Sequence, residues 1–526
     1  MTRRSVGRLG LLLLAAMLAL PAVLGLSRAD DGLAVRESVV DGVPLTLVEP
    51  ADPAPPEGWP GVVVAHGFSG SRTLMLPLAR GLARAGYAVQ LLDFAGHGAN
   101  PDPLPLDADG TAGTDRLGRD LAVAVEALAG SPGVDPDRLV LLGHSMGAGA
   151  VVAYAVSDAQ GQERISATVA VSLPSAEDVP DGTPAQPRDL LLLVGAAESA
   201  RFTDAALGAL RAGYPDAQPE RTYGDPAAGD ARRMHVVPGV EHISIVLSAD
   251  TLAATLDWLA PVTGGTSGPG QLDPTLRWLL LLTLAAAIAV VPIAGWAYGS
   301  VPTRAGPPTA AAPTVRWWWA LALALGGAVA ASVAAWVLGP LAERVPLAVG
   351  GYVAVWFVVA GATVLAVLGA TGRGRPWALG SGRVALATVG VVAYAVAALA
   401  LTGRATWSTW SWVGPRPWLG LLMLVAFGVY FLADEALVAR ASGWRRAAVA
   451  AGTRTIAVVV ILGAVVLLGA PGFLVLLLPL MVVLFVLLGW YATVVARHTS
   501  VRWAPAAVQA VPLALLVATT FPLASS

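Results

Sequence analysis

Five residues, Gly143-His144-Ser145-Met146-Gly147, carry the chemistry most directly legible in this chain. They follow the apolar run Leu139 to Leu142 and lead into GAGAVVAYAVS, Gly147 to Ser157. A serine at the tip of a sharp strand-to-helix turn needs strained backbone angles, and glycines two residues to either side let neighbouring chains pass closely. The pattern is that of a nucleophile elbow with Ser145 as nucleophile. Arg138 to Leu142 reads as a fully buried strand, and the small residues behind Ser145 read as a helix packed closely on a sheet.

A serine nucleophile requires a base within hydrogen-bond reach and a carboxylate that fixes the base's tautomer. Of the six histidines, His144 lies inside the elbow and His498 at the end of an apolar segment. His66 and His97 precede Ser145 in loops, and His235 falls within a candidate strand, where a structural role is expected. His242, in the loop VVPGVEHIS after the last candidate strand, is the expected base. In the chain order nucleophile, acid, base, the acid follows a late strand. Glu198, three residues after Gly195 in LLLLVGAAES, meets that requirement, with Asp204 as the alternative. The competing structural reading of Glu198 is a solvated residue at a helix start. Acyl transfer also needs two backbone N–H donors aimed at the developing oxyanion. The HGxxG turn His66-Gly67-Phe68-Ser69-Gly70 follows the apolar run Gly61 to Ala65, so the Phe68 and Met146 N–H groups are the expected pair.

The elements that must hold these residues read as alternating strands and helices between about Val35 and Pro261, the signature of a mostly parallel sheet covered on both faces. Candidate strands are Gly61 to Ala65, Tyr87 to Leu92, Arg138 to Leu142, Ala167 to Val171, Leu190 to Val194 and Met234 to Val237. Leu74 to Ala85 and Arg116 to Ala129 are candidate helices, the Pro-rich Glu49 to Pro60 a surface loop, and Thr263 to Gly270 a linker.

Composition divides the chain in two. Residues 1–270 carry 18 Arg against 31 Asp and Glu, while the remainder carries 15 against 4. With 56% hydrophobic and 13% charged residues in 526, much of the chain is expected in lipid. No cysteine is present, which excludes disulfides, thiolate zinc sites and a cysteine nucleophile; lysine is absent too, which excludes a Ser-Lys dyad. No cofactor, metal or nucleic-acid partner is expected.

Arg3, Arg4 and Arg8 precede the apolar run Leu9 to Leu26, so residues 1–30 read as a signal peptide or membrane anchor. Beyond the linker, eight apolar segments are long enough for a bilayer core of roughly 30 Å. Their expected bounds are 276–298, 317–339, 346–370, 384–402, 418–439, 454–470, 473–495 and 504–524. With residues 30–270 outside, the inner loops hold Arg304, Arg316, Arg373, Arg375, Arg383, Arg440, Arg445, Arg446, Arg454, Arg497 and Arg502. The outer loops hold Arg344, Arg404 and Arg416, with Arg277 at the start of the bundle, so the positive-inside rule places the first half and the C-terminus outside. The outer loop Gly403 to Trp418 carries four tryptophans, read as an interfacial belt. Asp434 and Glu435 lie inside a segment near its inner end; Glu343 and Arg344 sit in a short outer loop and are expected to be solvated.

HGFSG, LLDFAGHG, GHSMG, GAAE and GVEH stand in the order and spacing of the α/β-hydrolase superfamily, which residues 35–261 resemble. The resemblance implies a serine hydrolase of esters, thioesters or amides with Ser145, His242 and Glu198 at the matching positions, similar to dienelactone-hydrolase-like and lysophospholipase-like members. Glu198 departs from the commoner aspartate, and the short connection Ser172 to Asp189 leaves little room for a cap domain. The expected organisation is a signal or anchor at 1–30, an α/β-hydrolase domain at 35–261, a linker at 262–275 and a transmembrane bundle at 276–526. The expected activity is extracytoplasmic cleavage of a small-molecule or lipid-derived acyl ester at the cell membrane, with membrane lipid as neighbour. An acyltransferase to a lipid or glycan hydroxyl and a transporter or sensor with a non-catalytic hydrolase-like domain are the alternatives. Oligomeric state is open.

Overall fold

A computed structural model describes residues 3–106, 110–265, 268, 270, 273–299, 316–371, 380–404 and 410–525. Arg304, Arg373, Arg375 and Trp407, and Thr266, Ser267 and Pro269 of the linker, lie outside these residues. The chain forms two compact units: one comprises Val23–Leu279, Gly403–Val413 and Pro522–Ser526, the other Met1–Ala22, Leu280–Thr402 and Gly414–Phe521.

The first unit is built on a nine-stranded sheet of order β1-β2-β4-β3-β6-β7-β8-β10-β9. Its strands are β1 (Leu33–Val40), β2 (Val43–Pro50), β3 (Trp59–Ala65), β4 (Ala88–Leu92), β6 (Val134–His144), β7 (Ile165–Val171), β8 (Leu190–Gly195), β9 (Thr222–Tyr223) and β10 (Arg232–Val237). From β4 to β10 neighbouring strands run parallel; β1, β2 and β9 pair antiparallel at the edges. Helices α2 (Arg72–Arg84), α3 (Thr111–Ala129), α4 (Met146–Ala159), α5 (Ala200–Gly213) and α6 (Ala249–Thr263) join them. The connection 172–189 contains no helix or strand.

Successive side chains of a strand point to opposite faces, so a strand covered on both sides must be apolar at every position. Val62, Val64, Val89, Leu91, Val140 and Leu142 pack into one core with Leu78 and Leu82 of α2 and Leu256 and Leu259 of α6. The residues between them, Val63, Ala88, Leu92, Leu139 and Leu141, pack into a second core with Leu121, Val125 and Leu128 of α3 and Val151 of α4. These runs are the candidate strands of the sequence with shifted ends: β4 starts one residue later than expected, β6 gains four residues at its start and two at its end, and the others gain one or two. The expected loop at Glu49 to Pro60 is shorter than its Pro content implies. Pro50 ends β2, and Pro60 lies inside β3, where the pairing register with β6 shifts beside it, as fits a residue with no N–H to give a ladder.

A short strand β5 (Leu104–Pro105) pairs in parallel with β11 (Ala524–Ser525). The segment expected as a helix over 504–524 therefore ends earlier: the helix closes at Thr520, ahead of Pro522, and residues 522–525 belong to the sheet-bearing unit.

Among the described residues, nine helices are long and apolar enough to cross a membrane. They are α1 (Arg3–Ser27, with a span from Ser5), α7 (Thr275–Ala297), α8 (Trp317–Val337), α10 (Gly350–Ala370), α11 (Gly382–Arg404), α12 (Arg416–Val438), α13 (Trp444–Leu468), α14 (Phe473–Ala496) and α15 (Trp503–Thr520); the short α9 (Gly339–Ala342) follows α8. Helix α13 starts at Trp444 rather than 454, so Arg454 is an intrahelical residue and not a loop residue. Its guanidinium lies 3.5 Å from Asp434 and 2.9 Å from Gln509, and Asp434 accepts from Thr453 at 2.6 Å. Such pairing satisfies charges that apolar surroundings would otherwise leave exposed to a large desolvation cost. Arg416 is likewise buried at the start of α12 and donates to the Ala518 and Phe521 carbonyls, capping the end of α15. Glu343 and Arg344 are exposed.

Candidate active site

Strand β6 ends at His144 and helix α4 begins at Met146, leaving Ser145 alone in the turn. Its φ of 54° and ψ of −118° lie in a region that non-glycine residues seldom occupy, a strain of order 1–3 kcal/mol that the surroundings must hold. They do so by contact. A Cβ on Gly143 would stand 2.2 Å from the Gly147 carbonyl oxygen, and one on Gly147 would stand 2.5 Å from that of Ala65. No side chain fits at either position, and the Ser145 N–H donates to Val171 at 2.9 Å.

Ser145 Oγ lies 3.0 Å from His242 Nε2, and His242 Nδ1 lies 2.6 Å from Glu198 Oε1. A carboxylate accepts only, so Nδ1 carries the proton and Nε2 is left to accept from the serine hydroxyl. The Glu198 side chain is fully buried, and its other oxygen accepts the Gly195 N–H at 3.0 Å. It is turned inward ahead of α5 rather than solvated at the helix start, because the tight turn in which Glu198 N–H donates to the Gly195 carbonyl folds the side chain back over the strand end. Asp204, the alternative acid, is exposed on α5 and is not brought to His242. The His242 loop closes on itself through Glu241, whose carboxylate accepts from the N–H groups of Ile243 and Ser244.

Met146 is the first residue of α4, where a helix leaves its N–H groups without intrahelical acceptors. Phe68 lies in the His66 to Gly70 turn, its ring edge-on to His97 at 5.7 Å. That turn is pressed against the elbow: a Cβ on Gly67 would stand 3.1 Å from Ser145 Cβ. His66 is wholly buried, accepts from Phe94 N–H and donates from Nδ1 to the Gly67 carbonyl; burial holds its pKa below the usual histidine range, so it acts as a neutral brace. His97 donates to the Ala95 carbonyl and His235 pairs with Glu220, which keeps both in structural roles.

Two contacts escape sequence reasoning. Phe202 of α5 stacks on the His242 ring at 4.3 Å between centroids. His144 Nε2 lies 2.7 Å from the His242 carbonyl oxygen. Its place inside GHSMG was the available signal for the second; for Phe202 there was none. Among the described residues no group of three or more His, Cys, Asp or Glu could hold a metal ion.

Residues 60–198 match the family model described as serine aminopeptidase, S33. Two uncharacterized proteins of Mycobacterium tuberculosis, from strains CDC 1551 / Oshkosh and ATCC 25618 / H37Rv, are each 36% identical over 97 residues. That match covers 18% of this chain and spans about a third, 32%, of those relatives' length. Among solved structures, a predicted CIB-like hydrolase from Thermoplasma acidophilum is 17% identical with a TM-score of 0.33, covering 44% of this chain and 100% of its own. A putative dienelactone hydrolase from Klebsiella pneumoniae is also 17% identical, with a TM-score of 0.34, covering 44% of this chain and 99% of its own.

Proposed function

We propose that this protein is a membrane-anchored serine hydrolase that cleaves an acyl ester through an acyl-enzyme, a reading supported by the mostly parallel sheet of its first unit and by its long apolar helices. The observation that carries this reading is the continuous hydrogen-bonded chain Ser145–His242–Glu198, made of side chains from three separate strand ends. Structural serines and histidines have no need of a strained elbow.

Ser145 Oγ attacks the acyl carbon as its proton passes to His242 Nε2. Glu198 holds the ring in the required tautomer and stabilises the imidazolium, while the Phe68 and Met146 N–H groups face the oxyanion. Collapse breaks the carbon–oxygen bond to the leaving alcohol, which takes the proton from His242. Water then attacks the acyl-enzyme, giving one proton to His242 Nε2, and that proton returns to Ser145 Oγ as the carboxylic acid departs. No redox or metal step is required for the balance.

The proposed compartment is extracytoplasmic. Arginine distribution supports it, and so does the chain's path. If each of the nine apolar helices among the described residues crosses once, the end of α15 lies on the side opposite the N-terminus, the same side as the residues that follow α1. Ala524–Ser525 after α15 and Leu33–Val40 after α1 indeed belong to one unit. A lipid-derived acyl ester is the proposed substrate.

Hydrolysis of p-nitrophenyl acyl esters by the purified full chain tests the reading. Turnover that disappears in Ser145→Ala supports it; turnover that survives in that variant overturns it.

A further inference from the structure

We infer that His144, the residue ahead of the nucleophile, is a positioning residue: a hydrogen-bond donor that locks the loop carrying the base onto the strand carrying the serine. The inference rests on the reading of Ser145, His242 and Glu198 as the reacting group, and concerns a residue which that reading leaves without a task.

A backbone carbonyl only accepts, so the 2.7 Å contact with His242 O places the His144 proton on Nε2 and leaves Nδ1 bare. Nδ1 is buried and has no partner among the described residues, a cost of about 1–3 kcal/mol that a purely space-filling side chain would avoid. Burial, reinforced by the neighbouring His242, lowers the His144 pKa to about 3. The ring therefore stays neutral wherever a serine hydrolase works and never competes as a second base. Its other edge meets the oxyanion turn: a Cβ on Gly67 would stand 2.9 Å from His144 Nδ1. The imidazole thus touches the oxyanion turn, flanks the nucleophile and holds the main chain of the base.

The base loop's other ties do not reach the serine. Val240 O accepts from Ala197 N–H on the acid's side, and Glu241 binds within its own loop. Among the described residues, the His144 donor is what joins the loop's main chain to β6. Without it, the 3.0 Å Ser145–His242 contact depends on side chains alone.

The test compares fluorophosphonate labelling rates of the detergent-solubilised full chain, wild type, His144→Gln, His144→Asn and His144→Leu, with the melting temperature of each. The Gln amide nitrogen reaches where Nε2 lies; the Asn nitrogen reaches only as far as Nδ1. Since small misplacements of a reacting group can cost up to ~100-fold, His144→Leu and His144→Asn are expected to label about 10- to 100-fold more slowly and His144→Gln within about threefold of wild type. A structural role alone would not separate Gln from Asn. Equal rates for Gln and Asn, or a wild-type rate for Leu, overturn the inference while the triad reading stands. A wild-type chain that does not label at Ser145 overturns the triad reading, and this inference with it.

Discussion

Glu198 and His242 lie 44 residues apart in the chain and meet through a hydrogen bond of 2.6 Å. The second Glu198 oxygen is held by Gly195 N–H, so the carboxylate is aimed from both ends. Glu198→Gln keeps the size but presents no full negative charge to the imidazolium, and its loss is expected to slow ester turnover by roughly 10³-fold or more. Asp204→Asn, on the exposed face of α5, is expected to leave turnover within about twofold, as surface changes away from a site usually do. Steady-state rates of the two variants check this; the opposite ranking would restore Asp204 as the acid.

Burial of Asp189 sets the sign of a pH dependence in the sheet-bearing unit. Burial pushes its carboxyl up to about 7, with the Ala231 N–H offsetting part of the effect. An unfolded Asp titrates near 4, so between about pH 4 and pH 7 the folded chain holds a proton that the unfolded chain has lost. Stability must fall as pH rises through that window. Asp189→Asn stays neutral and keeps an oxygen for Ala231. Its melting temperature is expected to match wild type near pH 3, below both pKa values, and to exceed it by a few degrees at pH 8, since each pKa unit is worth about 1.4 kcal/mol. A lower melting temperature at pH 8 would contradict this.

The tail after α15 braces the loop that follows β4. Leu523 N–H donates to Gly96 O at 2.8 Å, and Leu523 O accepts from Leu104 N–H at 2.9 Å. Leu523→Pro removes the first donor and with it the tie to Gly96, at a cost of about 0.5–1.5 kcal/mol for a lost hydrogen bond. Limited proteolysis should cut residues 94–106 faster in that variant. Unchanged cleavage there would show that the strand pairing does not hold the loop.

The absence of cysteine makes sidedness directly measurable. Asp216 is exposed on the hydrolase unit, and Ser442 is exposed between α12 and α13. In intact cells a membrane-impermeant maleimide should label Asp216→Cys, and Ser442→Cys only after permeabilisation. The reverse pattern would place the hydrolase inside.

What could be read in the sequence follows from burial. Strands β3, β4, β7, β8 and the second half of β6 are buried along nearly their whole length and appear as runs dominated by apolar residues, whereas β10, RRMHVV, is half-buried and shows only its apolar end. The β1–β2 hairpin lies at an edge, and LAVRESVV alternates too weakly to declare itself. Strand β11 is two residues long and exists only through its pairing with β5, which no local pattern records. Helix α13 runs back to Trp444 through Arg454, which interrupts the apolar run; its pairing with Asp434 of α12 at 3.5 Å is a contact that hydropathy does not register. At the site, residue types and chain order were legible in GHSMG, GAAE and GVEH. The strained φ of Ser145, the Phe202 stack and the His144 donor depend on chains that meet only in the fold.

Covalent capture tests the central claim most directly. The full chain is treated with a fluorophosphonate, digested and mapped by mass spectrometry, with Ser145→Ala in parallel. The account predicts one adduct, on Ser145, and none in the variant. An adduct on another residue, undiminished labelling of Ser145→Ala, or an unlabelled wild-type chain that is correctly folded would contradict it.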